Sequence, residues 1–315
     1  MATILISGGT GFIGSSLTGL LLGKGHKVII LTRNLKQAID KQTADERLTY
    51  ARWNAAEQNI DRDAIEKADY IVHLAGAGVA DKRWTEKRKK EIIQSRIQGS
   101  ALIIKALKLI PNKVRGVVSA SAIGWYGPDN PTKNKPGGFI ESDPSDKSFL
   151  GDTCHWWEES IQPVKDLEKR LVIFRFGIVL GNGEGAFPEF KKPVKFGIAP
   201  ILGSGKQVVS WIHLDDLCRL LLFAIENEKL EGVYNAVAPK PVTNKELILH
   251  LAERMRGRAF IPVHVPSWTL KMMLGEMSIE VLKSATVSSE KLKETGFQFL
   301  YPQIDAALNE LIKKT

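Results

Sequence analysis

The stretch LISGGTGFIG, residues 5–14, packs four glycines into ten positions directly after an apolar run. Gly8, Gly11 and Gly14 form a G-x-x-G-x-x-G pattern. It lies between a β-rich segment, TILIS (3–7), and a segment of helical periodicity, FIGSSLTGLLLGKG (12–25). A glycine turn leading from a strand into a helix suits an anion. Backbone N–H groups approach a pyrophosphate where no Cβ intervenes, and the helix N-terminus adds partial positive charge. The same glycines would also serve a tight turn with close helix packing. The spacing departs from the more familiar G-x-G-x-x-G.

Outward from this turn the chain alternates. KVIILT (27–32), RLTYARW (47–53), ADYIVHLAG (68–76), KVRGVVSASA (113–122) and RLVIFRFGIVL (170–180) read as strands. A basic amphipathic helix is expected from about Thr85 to Ile110, and another from about Cys154 to Leu167. Strands alternating with helices predict βαβ units and a parallel sheet. Apolar runs without alternation fit strands buried on both faces. The expected fold class is α/β, a Rossmann-like doubly wound parallel sheet with a smaller, mostly helical C-terminal region. Residues 1–180 would form the Rossmann domain, with sheet contributions from about 208–240. Residues 181–315 would form a substrate-side region, and 265–297 reads as short helices. GPDNPTKNKPGGFIESDPSDKS (127–148) has no periodicity, and so long a structureless loop is a lid or disordered.

The totals bound the function. A formal charge of +9 from 44 Lys+Arg and 35 Asp+Glu favours anionic partners. Yet clusters such as KRWTEKRKK (82–90) sit on helical segments and read as solvated faces, not as a nucleic-acid surface. Two cysteines, Cys154 and Cys218, make neither a disulfide framework nor a metal set, and no metal ligands are expected. The apolar runs fall short of the ~20 residues that span a bilayer. With a strand starting at once, no leader is expected, and the cytoplasm is the expected compartment.

The end of the second strand reads ILTRN. An NAD site usually places an Asp or Glu there, on the ribose hydroxyls. Here Arg33 stands instead. A carboxylate would repel a 2′-phosphate, whereas a guanidinium pairs with it. The expected cofactor is NADP(H). The plainer alternative is a surface arginine after a strand.

Several phrases occur in an order that resembles the extended short-chain dehydrogenase/reductases, the sugar-nucleotide epimerases and dehydratases. They are GGTGFIG, HLAG (73–76), SASAIGWYG (119–127), RFGIVLG (175–181) and SWIHLDDL (210–217). Within that superfamily the chain resembles an epimerase-like family of unproven activity. RWTEKRKKEIIQSR (83–96), FLGDTCHWWE (149–158), GSGKQVVSWIH (203–213) and PVTNKE (241–246) carry this. VPSWTLKMMLGEM (265–277) and LKETGFQFLYP (292–302) resemble the family's C-terminal domain of unknown function, at about 262–312. The resemblance implies that Gly8, Thr10, Gly11, Phe12 and Ile13 line the pyrophosphate turn, with Arg33 at the 2′-phosphate. Asn54, after Trp53, falls where relatives place an acidic residue beside the adenine. Ala75, Gly76 and Ala77 would pass the adenosine ribose, and Phe176, Gly177 and Ile178 the nicotinamide. Strand ends that merely pack are the rival reading.

The resemblance also implies a Tyr-x-x-x-Lys pair, in which the cation makes the phenol a base near neutrality. Counting back from Glu158 puts Leu150 at the Tyr position and Cys154 at the Lys position. Arg96 stands where a supporting Asn is expected. The orienting serine survives as Ser121, or as Ser119. Tyr126 is either a substitute base or a ring flooring the substrate pocket. Cys154 is either a small buried residue or a thiolate drawn out by nearby positive charge. His155 and His213 read as structural, and Asp215 or Asp216 as a helix cap. Lys206 and Gln207, on a glycine-rich turn, would receive an anionic or polyhydroxylated group. Trp84, Trp125, Trp156, Trp157 and Trp211 lie in segments expected to face the cleft, where they would stack on a ring or fill a core.

Two functions follow. One is an NADP(H)-dependent, epimerase-like oxidoreductase acting on a small molecule such as a sugar nucleotide, with its Tyr/Lys pair departed. The other is an NADPH-binding regulatory or interaction protein without turnover. A monomer or homodimer is expected; in the superfamily the long helix and the next one form dimer interfaces.

Overall fold

The computed structural model describes residues 1–40, 45–130 and 137–313. The first strand, β1 (Thr3–Ser7), enters the glycine turn and leaves it as helix α1 (Phe12–Gly23). There follow β2 (Lys27–Thr32), α2 (Leu35–Asp40), β3 (Leu48–Asn54), β4 (Asn59–Ile60), α3 (Arg62–Lys67) and β5 (Tyr70–His73). The long helix α4 (Glu86–Leu109) leads to β6 (Gly116–Ala122), and α5 (Phe149–Ile161) to β7 (Arg170–Phe176). Thr85 caps α4 by accepting the Arg88 N–H, and Ser148 caps α5 by accepting that of Gly151.

The second half contributes β8 (Ile178–Leu180), α6 (Ala186–Lys195), β9 (Ile198–Leu202), β10 (Val208–Val209) and β11 (Trp211–His213). Next come α7 (Leu214–Glu226), β12 (Gly232–Ala236), β13 (Val242–Thr243), α8 (Asn244–Arg256) and β14 (Ile261–Val265). Four short helices close the chain: α9 (Ser267–Leu274), α10 (Ser278–Leu282), α11 (Glu290–Glu294) and α12 (Ile304–Lys313).

Eight strands make the main sheet in the order β12-β7-β6-β5-β1-β2-β3-β4, parallel except for β4. Leu17 and Leu21 of α1 and Leu217, Leu220 and Leu221 of α7 pack on one face with Ile4, Ile6 and Phe174. Ile65 of α3 and Leu102, Ile103 and Ala106 of α4 cover the other face with Leu5, Ile71 and Leu171. The doubly wound reading is thus the observed fold. Each covered strand removes apolar surface from water on both faces, which is why these runs do not alternate. A separate core joins α6, α8, α12 and β9 around Trp211.

Three details differ from the sequence reading. The run 170–180 is two strands. At Gly177 an added Cβ would lie 2.7 Å from Ser210 O and 2.8 Å from Val237, so the chain can pass only as glycine and then turns off to pair β8 with β11. The region after residue 180 holds more strands than expected: besides β12 in the main sheet, β10 pairs with β13, β14 with β9 and β11 with β8, in runs too short to show a period. The 127–148 segment is neither a free lid nor structureless over its described residues; 131–136 lie outside them. Asp129 accepts from Ser284 Oγ (2.7 Å), Thr286 Oγ1 (2.9 Å) and Thr286 N (2.9 Å), and Phe139 exchanges backbone bonds with Thr286 and Ser288. These partners lie more than 140 positions away along the chain, beyond the reach of local pattern.

Candidate functional site

The glycine turn is built by two kinds of glycine. Gly8 has φ +75°, and a Cβ there would fall 2.9 Å from Ala75 N; at Gly14 it would fall 2.3 Å from Gly8 O. Packing alone demands those two. Gly11 is different: it is exposed, its φ of −85° is ordinary, and a Cβ would meet only Gly8 O at 3.4 Å. It is the N-cap of α1, and no side chain caps that helix. The first-turn N–H groups at Phe12, Ile13 and Gly14 have no partner inside the helix by geometry. They point past a bare backbone, which is what an incoming phosphate requires.

The rim is assembled from neighbouring strand ends. The β1–β2 register pairs Ser7 with Leu31, which sets Arg33 just beyond the turn, one strand over. Arg33 is exposed and makes no hydrogen bond or ion pair among the described residues. Ser7 pairs with His73 in the other direction, and their side chains meet at 2.6 Å. Ser7 Oγ also accepts the Ala75 N–H (3.4 Å), and Ser95 Oγ accepts that of Ala77 (3.0 Å). The 75–77 turn is therefore held against the glycine turn. Phe12 packs under Gly181 and Gly185, bringing in the chain that follows Phe176, Gly177 and Ile178. Thr10 is exposed on the turn. Asn54 turns the chain into β4: its Oδ1 accepts from Ala56 N and Glu57 N.

Around the expected reaction centre the structure puts a buried polar cluster. Glu158 of α5 accepts from Arg175 Nε (2.7 Å) and Nη2 (2.9 Å), and from Ser121 Oγ (2.6 Å). Arg175 Nη1 donates to the Tyr126 hydroxyl (2.9 Å), which donates to Asn235 Oδ1 (2.7 Å). Trp125 covers Arg175, its ring centre 3.7 Å from the guanidinium carbon. Burial lowers the affinity of Arg175 for its proton, but the Glu158 hydrogen bonds outweigh it and hold the cation. Ser119 lies one pleat back on β6, fully buried, its Oγ 3.3 Å from Ala120 O.

These surroundings bear on the candidate bases. Tyr126 is fully buried, and burial pushes its phenol up to about 12, outweighing the pull of Arg175. Such a phenol is a poor proton acceptor near neutrality. Leu150 and Cys154, which the resemblance sets at the expected Tyr and Lys positions, pack against Gly124, where a Cβ would lie 3.2 Å from Leu150 Cβ and 3.5 Å from Cys154 Sγ. Burial, then the Glu158 charge, pushes the Cys154 thiol up to about 12, although Arg96 opposes. This works against a thiolate at Cys154: the positive charge is present, but desolvation is the larger effect.

Other expectations are relocated. Lys206 is exposed on its turn, but Gln207 is buried, its amide donating to Leu202 O (3.0 Å), so it braces the turn. Trp211 is wholly buried in the second core, and Trp156 is exposed. Trp84 meets Phe149 edge-on, and Trp157 lies beneath Arg96. His155 is exposed, 3.6 Å from Glu159, with its ring centre 5.9 Å from that of Trp125. The cap of α7 is His213, whose Nδ1 accepts the Asp215 N–H (3.1 Å). Asp216 is instead buried, accepting from Leu300 N and Tyr301 N, a role that depends on remote backbone. His213, Asp215 and Glu310 bring ligand-type atoms within 4.8 Å of one another. Both His213 ring nitrogens there are already engaged, Nε2 with Glu310 at 3.0 Å. Among the described residues no helix is long and apolar enough to cross a membrane.

Glu158, Arg175 and Asn235 were not singled out as site residues. The signal was present for one of them: an arginine inside RLVIFRF, a strand buried on both faces, requires a buried partner.

A parallel sheet wound on both faces, with a glycine turn between its central strand and first helix and a rim of neighbouring strand ends, defines the class: a Rossmann-like fold of the extended short-chain dehydrogenase/reductase type. The comparisons agree. The sequence model of the NAD dependent epimerase/dehydratase family matches residues 4–149, and that of a domain of unknown function, DUF1731, matches 265–311. Epimerase family protein YfhF of Bacillus subtilis is 34% identical over 309 residues, covering 98% of this chain and 97% of its own. The crystal structure of human epimerase family protein SDR39U1 (isoform 2) with NADPH superimposes with a TM-score of 0.85 at 30% identity, covering 99% of this chain and 100% of that one. A nucleoside-diphosphate sugar epimerase from Corynebacterium glutamicum gives 0.75 at 26%, covering 99% of this chain and 58% of that one. The chain belongs to the NAD dependent epimerase/dehydratase family, in the branch that carries DUF1731 at its C-terminal end.

Proposed function

We propose that this chain binds NADP(H) and is an epimerase-like oxidoreductase acting on a small polar substrate, sugar nucleotides being the first class to try. The observation that carries the reading is the pairing of Gly11 with Arg33. Gly11 is a glycine that protein packing does not require, and Arg33, one strand over, is exposed with no partner among the described residues. A bare N-cap suits the pyrophosphate, and an unpaired guanidinium at the end of β2 suits the 2′-phosphate. The human relative whose structure contains NADPH supports this.

Gly8, Thr10, Gly11, Phe12 and Ile13 would hold the pyrophosphate, Arg33 the 2′-phosphate, and Ala75, Gly76 and Ala77 the adenosine side. Asn54 would edge the adenine, and Phe176, Gly177 and Ile178 the nicotinamide. When bound, the nicotinamide supplies a hydride acceptor or donor at its C4. Ser121 would orient the reacting oxygen: it gives its proton to Glu158 and keeps lone pairs to accept one. Trp125 and Lys206 would edge the substrate side, formed by residues 181–315. Residues 1–180 would hold the dinucleotide.

One observation favours a second reading, an NADPH-binding regulatory protein without turnover. Leu150 and Cys154 leave no proton acceptor at the Tyr-x-x-x-Lys positions, and Tyr126 is sealed. Incubation with NADPH or NADP⁺ and a panel of sugar nucleotides, small carbonyl compounds and alcohols separates the two. Nicotinamide turnover supports the oxidoreductase. Tight NADPH binding with none across the panel gives the second reading.

A further inference from the structure

Three arginines are buried: Arg88, Arg96 and Arg175. Two are neutralised. Arg88 pairs with Asp81 (3.2 Å) and Glu91 (2.8 Å), and Arg175 with Glu158 (2.7 Å). Arg96 has no acidic partner among the described residues. Its Nη1 donates to Ala77 O (3.1 Å) and Ile92 O (2.8 Å), and its guanidinium carbon stands 4.7 Å from the Trp157 ring centre. Nε and Nη2 hold no hydrogen bond among the described residues, yet neither is sealed inside the protein. The titratable groups around it are His73 and Cys154, both kept neutral by burial, and the cation of Arg88. Nothing there supplies negative charge.

An arginine does not escape this by losing its proton. A buried cation without a counter-charge is costly, and an anion arriving from outside the chain would offset that cost. The position is consistent with a ligand. Gly76 leaves room for the guanidinium, since a Cβ there would fall 3.2 Å from Arg96 Cζ, and Arg96 holds the Ala77 carbonyl of the turn assigned above to the cofactor.

We propose that Arg96 is an anion-binding residue, its open Nε–Nη2 edge receiving the two oxygens of a carboxylate or phosphate group against the Trp157 ring. A guanidinium edge matches such a group with two parallel hydrogen bonds. The proposal deepens the reading of this cleft as a ligand site and rests on it. The anion belongs either to the substrate or to the dinucleotide.

The test uses the full chain, with Arg96→Met and Arg96→Lys variants. Melting temperature is followed against inorganic phosphate at constant ionic strength, with and without saturating NADPH. In chloride alone, Arg96→Met should melt at or above the wild type, because it removes an uncompensated charge. Phosphate should raise the wild-type melting temperature by several degrees more than that of Arg96→Met, with Arg96→Lys between. If NADPH abolishes the phosphate effect, the anion is the dinucleotide's own; if the effect persists, it is the substrate's. Equal phosphate responses in wild type and Arg96→Met overturn the proposal. So does a lower melting temperature, or failure to fold, for Arg96→Met in chloride, which would make Arg96 a brace for the Ala77 and Ile92 carbonyls. Failure of the wild type to bind NADPH would sink the cofactor reading separately, without touching the phosphate comparison.

Discussion

His73 is the residue whose burial has the clearest consequence. It is sealed at the end of β5 with Nδ1 on Ser7 and Nε2 without a partner. Burial, aided by the Arg96 charge, lowers its pKa from 6.5 to about 4. The unfolded chain therefore takes up this proton near pH 6.5 while the folded chain refuses it until about 4. Between those values the unfolded state binds more protons, so stability falls as pH drops through the window and levels off below it. The share due to His73 is up to about 3 kcal/mol. Denaturant titrations from neutral to acid pH should show a flatter loss in His73→Asn than in the wild type; parallel curves would remove His73 from that role. Glu158 is the second case. Its carboxylate joins Ser121 and Arg175, and Glu158→Gln strands a buried guanidinium, at a cost of about 3–5 kcal/mol in denaturant stability. A loss below about 1 kcal/mol would mean that water already shares the pair. Neither residue was legible as such in the sequence. In the sequence His73 is one residue of HLAG and Glu158 one residue of a helical phrase, because their partners arrive from other strands.

At the scale of elements, the turn from β1 into α1 was legible because its demands are local: a left-handed glycine, a second against the turn carbonyl, and a helix start. Its parts have separable duties. Gly14→Val drives a side chain into Gly8 O and should unfold the domain or lower its melting temperature steeply. Gly11→Val should leave the melting temperature within a few degrees of the wild type and remove dinucleotide binding. Retained affinity in Gly11→Val would make the motif a turn alone. Strand β7 shows the opposite limit. RLVIFRFGIVL carries strand character from end to end, and what ends the strand is crowding from Ser210 and Val237, residues more than 30 positions away. The α7 cap was misassigned for a similar reason. His213, Asp215 and Asp216 are all capable caps, and the choice was made by remote backbone N–H groups that claimed Asp216.

At the scale of the whole molecule, the sheet and its two helical layers follow from alternation and apolar runs, and the family from phrases spread along the entire chain. The connection between the halves does not. Asp129, Phe139 and Glu141 of the 127–148 segment fasten to residues 284–288 and to Asn235, tying the DUF1731 region to the floor of the site. No periodicity announces such stitching. Both functional readings depend on the dinucleotide, so cofactor choice is the claim to test first. The direct measurement is equilibrium titration of the wild type and Arg33→Ala with NADPH and with NADH, followed by tryptophan fluorescence. The wild type should prefer NADPH, and Arg33→Ala should lose about 1.5–3 kcal/mol, roughly ten- to two-hundredfold, for NADPH alone. Equal weakening of both dinucleotides, or no saturable binding of either by the wild type, would contradict it.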